Sequence, residues 1–198
     1  FGLDGHLAGA PEMKQSAGFD RKDWGLKQFR HEVWKGFVFV NFDGQAAPVD
    51  EQLAGLAPMG DPYDFENYQT VEHTDWGVCD WDWKIMVDNF MECYHHMGPH
   101  RGTLEDEFPA KLSGAGEGGP YFTTMWSRQA DGYPAEEPFL APGADTLTPE
   151  HSHKLLIFIA YPLLQISLGP GFMYWLKTLL VGAGKVEIHL DIAMSPAA

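Results

Sequence analysis

Four runs in the last third of the chain constrain its fold more than any other feature. Residues 154–161, 164–168, 173–180 and 185–192 are rich in β-branched, aromatic and aliphatic side chains. Only Pro162, Gly169-Pro170-Gly171 and the stretch 182–184 separate them. Such breaks leave room for turns and little else, so the runs predict successive antiparallel strands in a meander.

The upstream pattern is more varied. Asp4-Gly5 is a two-residue turn signal between Leu3 and Leu7, which predicts a hairpin over 1–11. Residues 26–34 alternate weakly. Phe37-Val38-Phe39-Val40-Asn41-Phe42 is a near-continuous apolar run that suits a well-buried strand, closed by Asp43-Gly44. Residues 44–62 are rich in Ala, Pro and Gly with a helical piece at 49–56, and read as a connector with a domain boundary near Pro48. Residues 68–78 then read as a strand. Residues 83–91 contain no Gly or Pro and repeat apolar residues every three to four positions, as a helix does. Beyond 103 the chain is least regular. Residues 114–120 are glycine-rich and read as a flexible loop before a strand at 121–126, and 134–149 read as a long loop. A long loop of this kind is either a binding lid or a surface insertion.

Composition narrows the function classes. A chain of 198 residues that is 44% hydrophobic and 14% aromatic is globular, with material for an aromatic core or pocket. Its formal net charge of -15 opposes binding to nucleic acid or to an anionic membrane surface. No stretch approaches the ~20 apolar residues of a transmembrane helix. Cys79 and Cys93 form no Cys-x-x-Cys and suggest no disulfide framework, so a cytoplasmic setting is expected. The first residue is Phe1 and nothing near it looks like a signal peptide, which suggests that the chain starts inside a longer protein.

The stretch most suggestive of chemistry is Glu92-Cys93-Tyr94-His95-His96-Met97-Gly98-Pro99-His100. Two histidines and a carboxylate are the raw material of a divalent-metal site. Glu92 and His95 are i, i+3 and share a helix face. His95 and His100 would diverge by ~140° on a straight helix, too far to hold one ion. Gly98-Pro99 lets the chain turn after Met97 and bring His100 back. His96 reads as a bystander.

At this point the residues resemble one family. Asn89-x2-Glu92-x-Tyr94-His95-x4-His100 resembles the ferrous-iron motif of Rieske-type non-haem oxygenase α subunits, the ring-hydroxylating oxygenases. Trp83-Lys84-x2-Val87-Asp88-Asn89-Phe90 fits the helix before it. Val33-Trp34-x-Gly36-Phe37-Val38-Phe39-Val40-Asn41 resembles the end of the family's N-terminal Rieske domain, and Phe1-Gly2-Leu3-Asp4-Gly5 the stretch after its last cluster-binding histidine.

The resemblance implies an α+β chain. Residues 1–47 would be the C-terminal part of an all-β Rieske 2Fe-2S domain. Residues 48–198 would be a helix-grip (START/Bet v1-like) catalytic domain with an antiparallel sheet and a mononuclear iron, truncated before the family's C-terminal helix. His95 and His100 match the two histidine ligands of Fe(II). Glu92 matches the acidic residue linking that iron to a neighbouring subunit's cluster; Asn89 and Tyr94 match positions beside the site. The 2Fe-2S ligands, Cys-x-His and Cys-x2-His, are absent and are expected upstream of Phe1. The carboxylate that completes a two-His-one-carboxylate triad is expected beyond Ala198, since Glu187 and Asp191 lie too early. The implied activity is O2-dependent hydroxylation or dealkylation of an aromatic or quaternary-amine substrate. Electrons would come from NAD(P)H through a reductase or ferredoxin, in a homotrimer or another α-containing oligomer. Phe122, Trp126, Phe158, Tyr161, Tyr174 and Trp175 are candidate pocket aromatics. Competing readings are a non-catalytic helix-grip ligand-binding module and a zinc hydrolase.

Overall fold

A computed structural model describes residues 1–133 and 146–196. The chain divides into two compact units, Phe1–Val49 and Asp50–Ala198. In the first unit, β1 (Arg30–Trp34) pairs with β2 (Phe37–Asn41) as an antiparallel hairpin. Lys35 (φ 49°) and Gly36 (φ 85°) form its two-residue turn, both in the left-handed region that matches the strand twist. The apolar run at 37–42 is not the well-buried strand expected of it. It alternates, with Val38 65% and Val40 50% exposed, because a two-stranded ribbon can turn only every second side chain toward cover. The Asp4-Gly5 turn forms, with the Gly5 N–H donating to the Gly2 carbonyl at 3.0 Å. The flanking hairpin strands do not form. The Gly5 carbonyl accepts instead from the Leu26 N–H at 2.8 Å, so the turn is tied to a distant loop.

The second unit has the expected mixed character around a large antiparallel sheet. Two short helices, α1 (Val49–Gln52) and α2 (Ala57–Gly60), lead to β3 (Gln69–Cys79). Then come α3 (Trp83–Phe90), α4 (Leu104–Glu107), β4 (Ser113–Gly119) and β5 (Phe122–Arg128). The predicted meander follows as β6 (Lys154–Ala160), β7 (Leu164–Gly169), β8 (Phe172–Gly182) and β9 (Lys185–Met194). The seven strands lie in the order β3-β9-β8-β7-β6-β5-β4, each neighbouring pair antiparallel.

Alternation along these strands builds two packed faces. On one, Trp83, Met86 and Phe90 of α3 lie over Leu176, Val186 and Ile188. Cys93 and Phe108 lie over Met125, Leu155, Ile157 and Phe172. On the other, Phe65 meets Phe158 with ring centroids 6.4 Å apart.

The glycine-rich stretch expected to be a loop is strand β4. Its glycines are the reason it can pair. A Cβ at Gly114 would lie 2.9 Å from the Trp126 ring, at Gly116 2.3 Å from Thr124 Oγ1, and at Gly119 2.8 Å from the Phe122 ring. The side chains of β5 fill the space that side chains on β4 would need. Of the loop expected at 134–149, residues 134–145 lie outside the described residues. No helix among the described residues is long and apolar enough to cross a membrane.

Candidate metal centre

Helix α3 is fixed at both ends. The Asp82 side chain caps its start by accepting from the Lys84 N–H at 3.0 Å. At its end the Met91 N–H donates to the Val87 carbonyl. The helix stops at Phe90, and a separate 3-10 turn covers Tyr94–Met97. Glu92 and His95 therefore do not share one continuous helix, as the i, i+3 spacing suggested. The Glu92 side chain takes the His95 N–H for itself at 3.1 Å, in competition with the helical ladder.

The same carboxylate also meets the His95 ring. Glu92 Oε1 lies 2.6 Å from His95 Nδ1, so Nδ1–H donates and the Nε2 lone pair is left pointing outward. Burial opposes the charged form of Glu92, but the hydrogen bonds from the His95 ring and backbone outweigh it, and the carboxyl sits below its ordinary value.

The turn at Gly98 brings His100 back. Gly98 N–H donates to the His95 carbonyl at 2.9 Å, and the His95 and His100 rings end 5.2 Å apart, centroid to centroid. His96 joins them, 4.8 Å from His95 and 5.7 Å from His100. The spacing alone gave no sign of this, because adjacent residues rarely face the same way. The His96 ring is buried, and its Nδ1 bonds to the Phe108 carbonyl at 2.9 Å. Burial, and then the charges of His95 and His96, hold His100 below its ordinary value, which favours the neutral imidazole a metal needs.

These histidines line a cavity of about 540 Å³ between the motif and the sheet. Asn89 and Glu92 line it too. Tyr94 does not: its ring is 79% exposed, and the packing beside the site expected of it is not found. Of the six aromatics singled out as pocket candidates, only Tyr174 reaches the cavity. Phe158 is fully buried against Phe65, and Tyr161 is 45% exposed. Trp76, Phe90, Phe108 and Phe172 supply the other rings.

Neither carboxylate on β9 faces this cavity. Leu190, Ile192 and Met194 line it, so alternation turns Glu187 and Asp191 to the other side. There Asp191 bonds to His73 at 2.9 Å, and Glu187 to His189 at 3.0 Å. Asp75, Glu187 and His189 bring possible ligand atoms within 4.8 Å of one another, apart from the motif. The donors that converge at the cavity are thus imidazoles, with a carboxylate orienting one of them. Such a set fits a divalent transition metal.

Comparisons with known proteins point to one family. Residues 63–198 match the family model for the ring hydroxylating alpha subunit, catalytic domain. The chain is 36% identical over 105 residues to the carnitine monooxygenase oxygenase subunit of Escherichia coli K12, covering 52% of this chain and 28% of that protein. It is 33% identical over 103 residues to the glycine betaine monooxygenase oxygenase subunit of Pseudomonas aeruginosa, covering 52% and 24%. It superposes on a quaternary ammonium Rieske monooxygenase crystallised with an inhibitor, with a TM-score of 0.75 at 24% identity. That match covers 98% of this chain and 49% of the other. The matched stretches, about half of this chain, thus span about a quarter of the length of these curated relatives.

Proposed function

The chain belongs to the ring-hydroxylating alpha-subunit family through its catalytic domain, and from that premise we propose that it holds the mononuclear iron centre of a Rieske-type oxygenase. His95 and His100 would hold Fe(II), and the carboxylate completing the triad would come from outside the described residues. When bound there, ferrous iron would supply the activation of O2 for hydroxylation or dealkylation. The chain's own residues supply the rest. Glu92 fixes the His95 tautomer and keeps Nε2 free as a donor. Asn89 adds a polar group to the cavity wall, and Tyr94 belongs to the motif by position. The sheet residues Leu155, Ile157 and Ile192 give the chamber an apolar wall.

On this reading residues 1–47 are the C-terminal part of a Rieske domain and 48–198 the catalytic domain. A 2Fe-2S cluster, with ligands upstream of this chain, would receive electrons from NAD(P)H through a reductase or ferredoxin. Glu92 would face the cluster of a neighbouring subunit in a homotrimer or another α-containing oligomer. The setting would be cytoplasmic. The substrate would be a small aromatic molecule or a quaternary amine, the latter suggested by the names of the relatives.

The observation that carries this reading is the double grip of Glu92 on His95 beside a returning His100. The test is iron content and O2-dependent product formation in the intact protein. His95→Ala and His100→Ala should each lose both, while Asp191→Asn should keep its iron. Full iron loading in the two histidine variants, or its loss in Asp191→Asn, would refute the assignment.

A further inference from the structure

We infer that Asp75, Glu187 and His189 form a second divalent-metal site, of the zinc class, on the sheet face turned away from the cavity, and that an ion bound there staples β3 to β9. The site stands apart from the iron reading, because none of the three residues lines the cavity. Strand geometry assembles the set. Glu187 and His189 are two apart on β9 and so point to one face. Asp75 lies directly opposite His189 across the ladder. One possible ligand atom from each residue lies within 4.8 Å of the other two.

The two carboxylates flank one ring. Asp75 Oδ1 is 3.7 Å from His189 Nδ1, and Glu187 Oε1 is 3.0 Å from His189 Nε2. A neutral imidazole carries one N–H, so one ring nitrogen always turns its lone pair toward a carboxylate. A divalent ion removes that conflict and balances both carboxylate charges. Ligands held tetrahedrally at ~2.0–2.1 Å stand ~3.4 Å apart, so the 3.7 Å separation is already close to what an ion needs. The Gly77 N–H donates to Asp75 Oδ1 at 2.7 Å, which orients that carboxylate in advance. The His189 side chain is 16% exposed and that of Asp75 58%, so an ion can enter from the Asp75 side. An imidazole with two carboxylates suits zinc, whereas calcium and magnesium take oxygen ligands. Lys177 stands opposite His189 on β8 and pairs with neither carboxylate. The staple has a purpose in the fold. Among the described strands β3 has β9 as its one neighbour, and the register shift between Asp75 and Gly77 leaves Trp76 as an extra residue that lines the cavity. An ion on Asp75 would steady that wall from behind.

The probe is Zn2+ alone, titrated by calorimetry into the intact protein carrying His95→Ala and His100→Ala, so that the motif contributes nothing. Adding His189→Ala or Asp75→Asn should remove one equivalent of bound zinc or weaken it at least tenfold, about 1.4 kcal/mol. Adding Asp191→Asn, which breaks only the neighbouring bond to His73, should leave that equivalent within about threefold. Saturating Zn2+ should raise the unfolding temperature, and His189→Ala should abolish that rise. Zinc stoichiometry and affinity unchanged by His189→Ala and Asp75→Asn, or an equal loss in Asp191→Asn, would mean an adventitious ion only and would overturn the inference. A readout free of variants is anomalous scattering from crystals of the intact protein soaked in Zn2+. A peak ~2.0–2.2 Å from ligand atoms of Asp75, Glu187 and His189 is expected, and its absence would equally overturn the site. A protonated His189 held between the two carboxylates is the competing account, and it binds no ion. Lack of iron at the motif would sink the oxygenase reading and leave this result untouched.

Discussion

Replacing Glu92 by glutamine probes how the centre is held. The carboxylate accepts from two donors of one residue, the His95 ring at 2.6 Å and the His95 backbone N–H at 3.1 Å. A carboxamide has one acceptor oxygen. If that oxygen faces the ring, the amide nitrogen faces the backbone N–H, donor against donor. One bond is lost and the other loses its charge. Removing the carboxylate behind a metal-bound histidine typically costs 10–100-fold in affinity, about 1.4–2.7 kcal/mol. The Glu92 side chain is 39% exposed, so solvent screens part of its charge and places the expected loss at the lower end, about tenfold. Without metal, the lost backbone hydrogen bond should lower stability by about 1 kcal/mol. The assay is anaerobic titration of Fe(II) into the intact protein and into Glu92→Gln, with thermal unfolding of both in chelator. An affinity unchanged within about twofold would show that Glu92 does not orient His95, and the tautomer argument would fail.

Two other predictions concern the His100 ring and strand β4. Burial and the neighbouring imidazoles depress the folded His100 value, so the unfolded chain takes up that proton first. Its share of stability is complete above about pH 6.5 and is lost as pH falls below that value. Urea unfolding of metal-free protein on both sides of that pH should show a shallower pH dependence for His100→Gln than for wild type; equal slopes would contradict the burial argument. Gly116→Ala would set a Cβ 2.3 Å from Thr124 Oγ1, a hydroxyl already bonded to the Glu117 carbonyl. Thermal unfolding should report a loss of about 1–3 kcal/mol, and an unchanged midpoint would show that β4 can shift off β5 at no cost.

The meander was legible because its signal is local. Period-two runs broken by Gly and Pro fix strand identity without any knowledge of partners, and β6 to β9 formed where the runs lay. The turn that returns His100 was legible for a similar reason, since Gly98-Pro99 limits its own backbone. What escaped depends on register. Tyr174 and Trp175 are equal aromatics in sequence, and only the pairing of Tyr174 with Ser167 and Ile192 turns it toward the cavity. β4 was hidden because its glycines carry no strand propensity. Their role shows only once Phe122, Thr124 and Trp126 lie across them. His96 joined its neighbours through a bond to Phe108, twelve residues on, which spacing within the motif could not reveal.

The closing of the sheet by β3 against β9 also sets an order of events. Gln69 pairs with Met194, and α3 rests on Leu176, Val186 and Ile188, residues made roughly a hundred positions after it begins. During synthesis the motif leaves the ribosome long before its floor exists. Pairings so distant in sequence form late, after the local hairpins. The floor under α3 is thus complete only when residues 185–194 have been added and docked. A half-made chain would carry the motif above an unfinished cavity, since Leu190, Ile192 and Met194 of its wall come last.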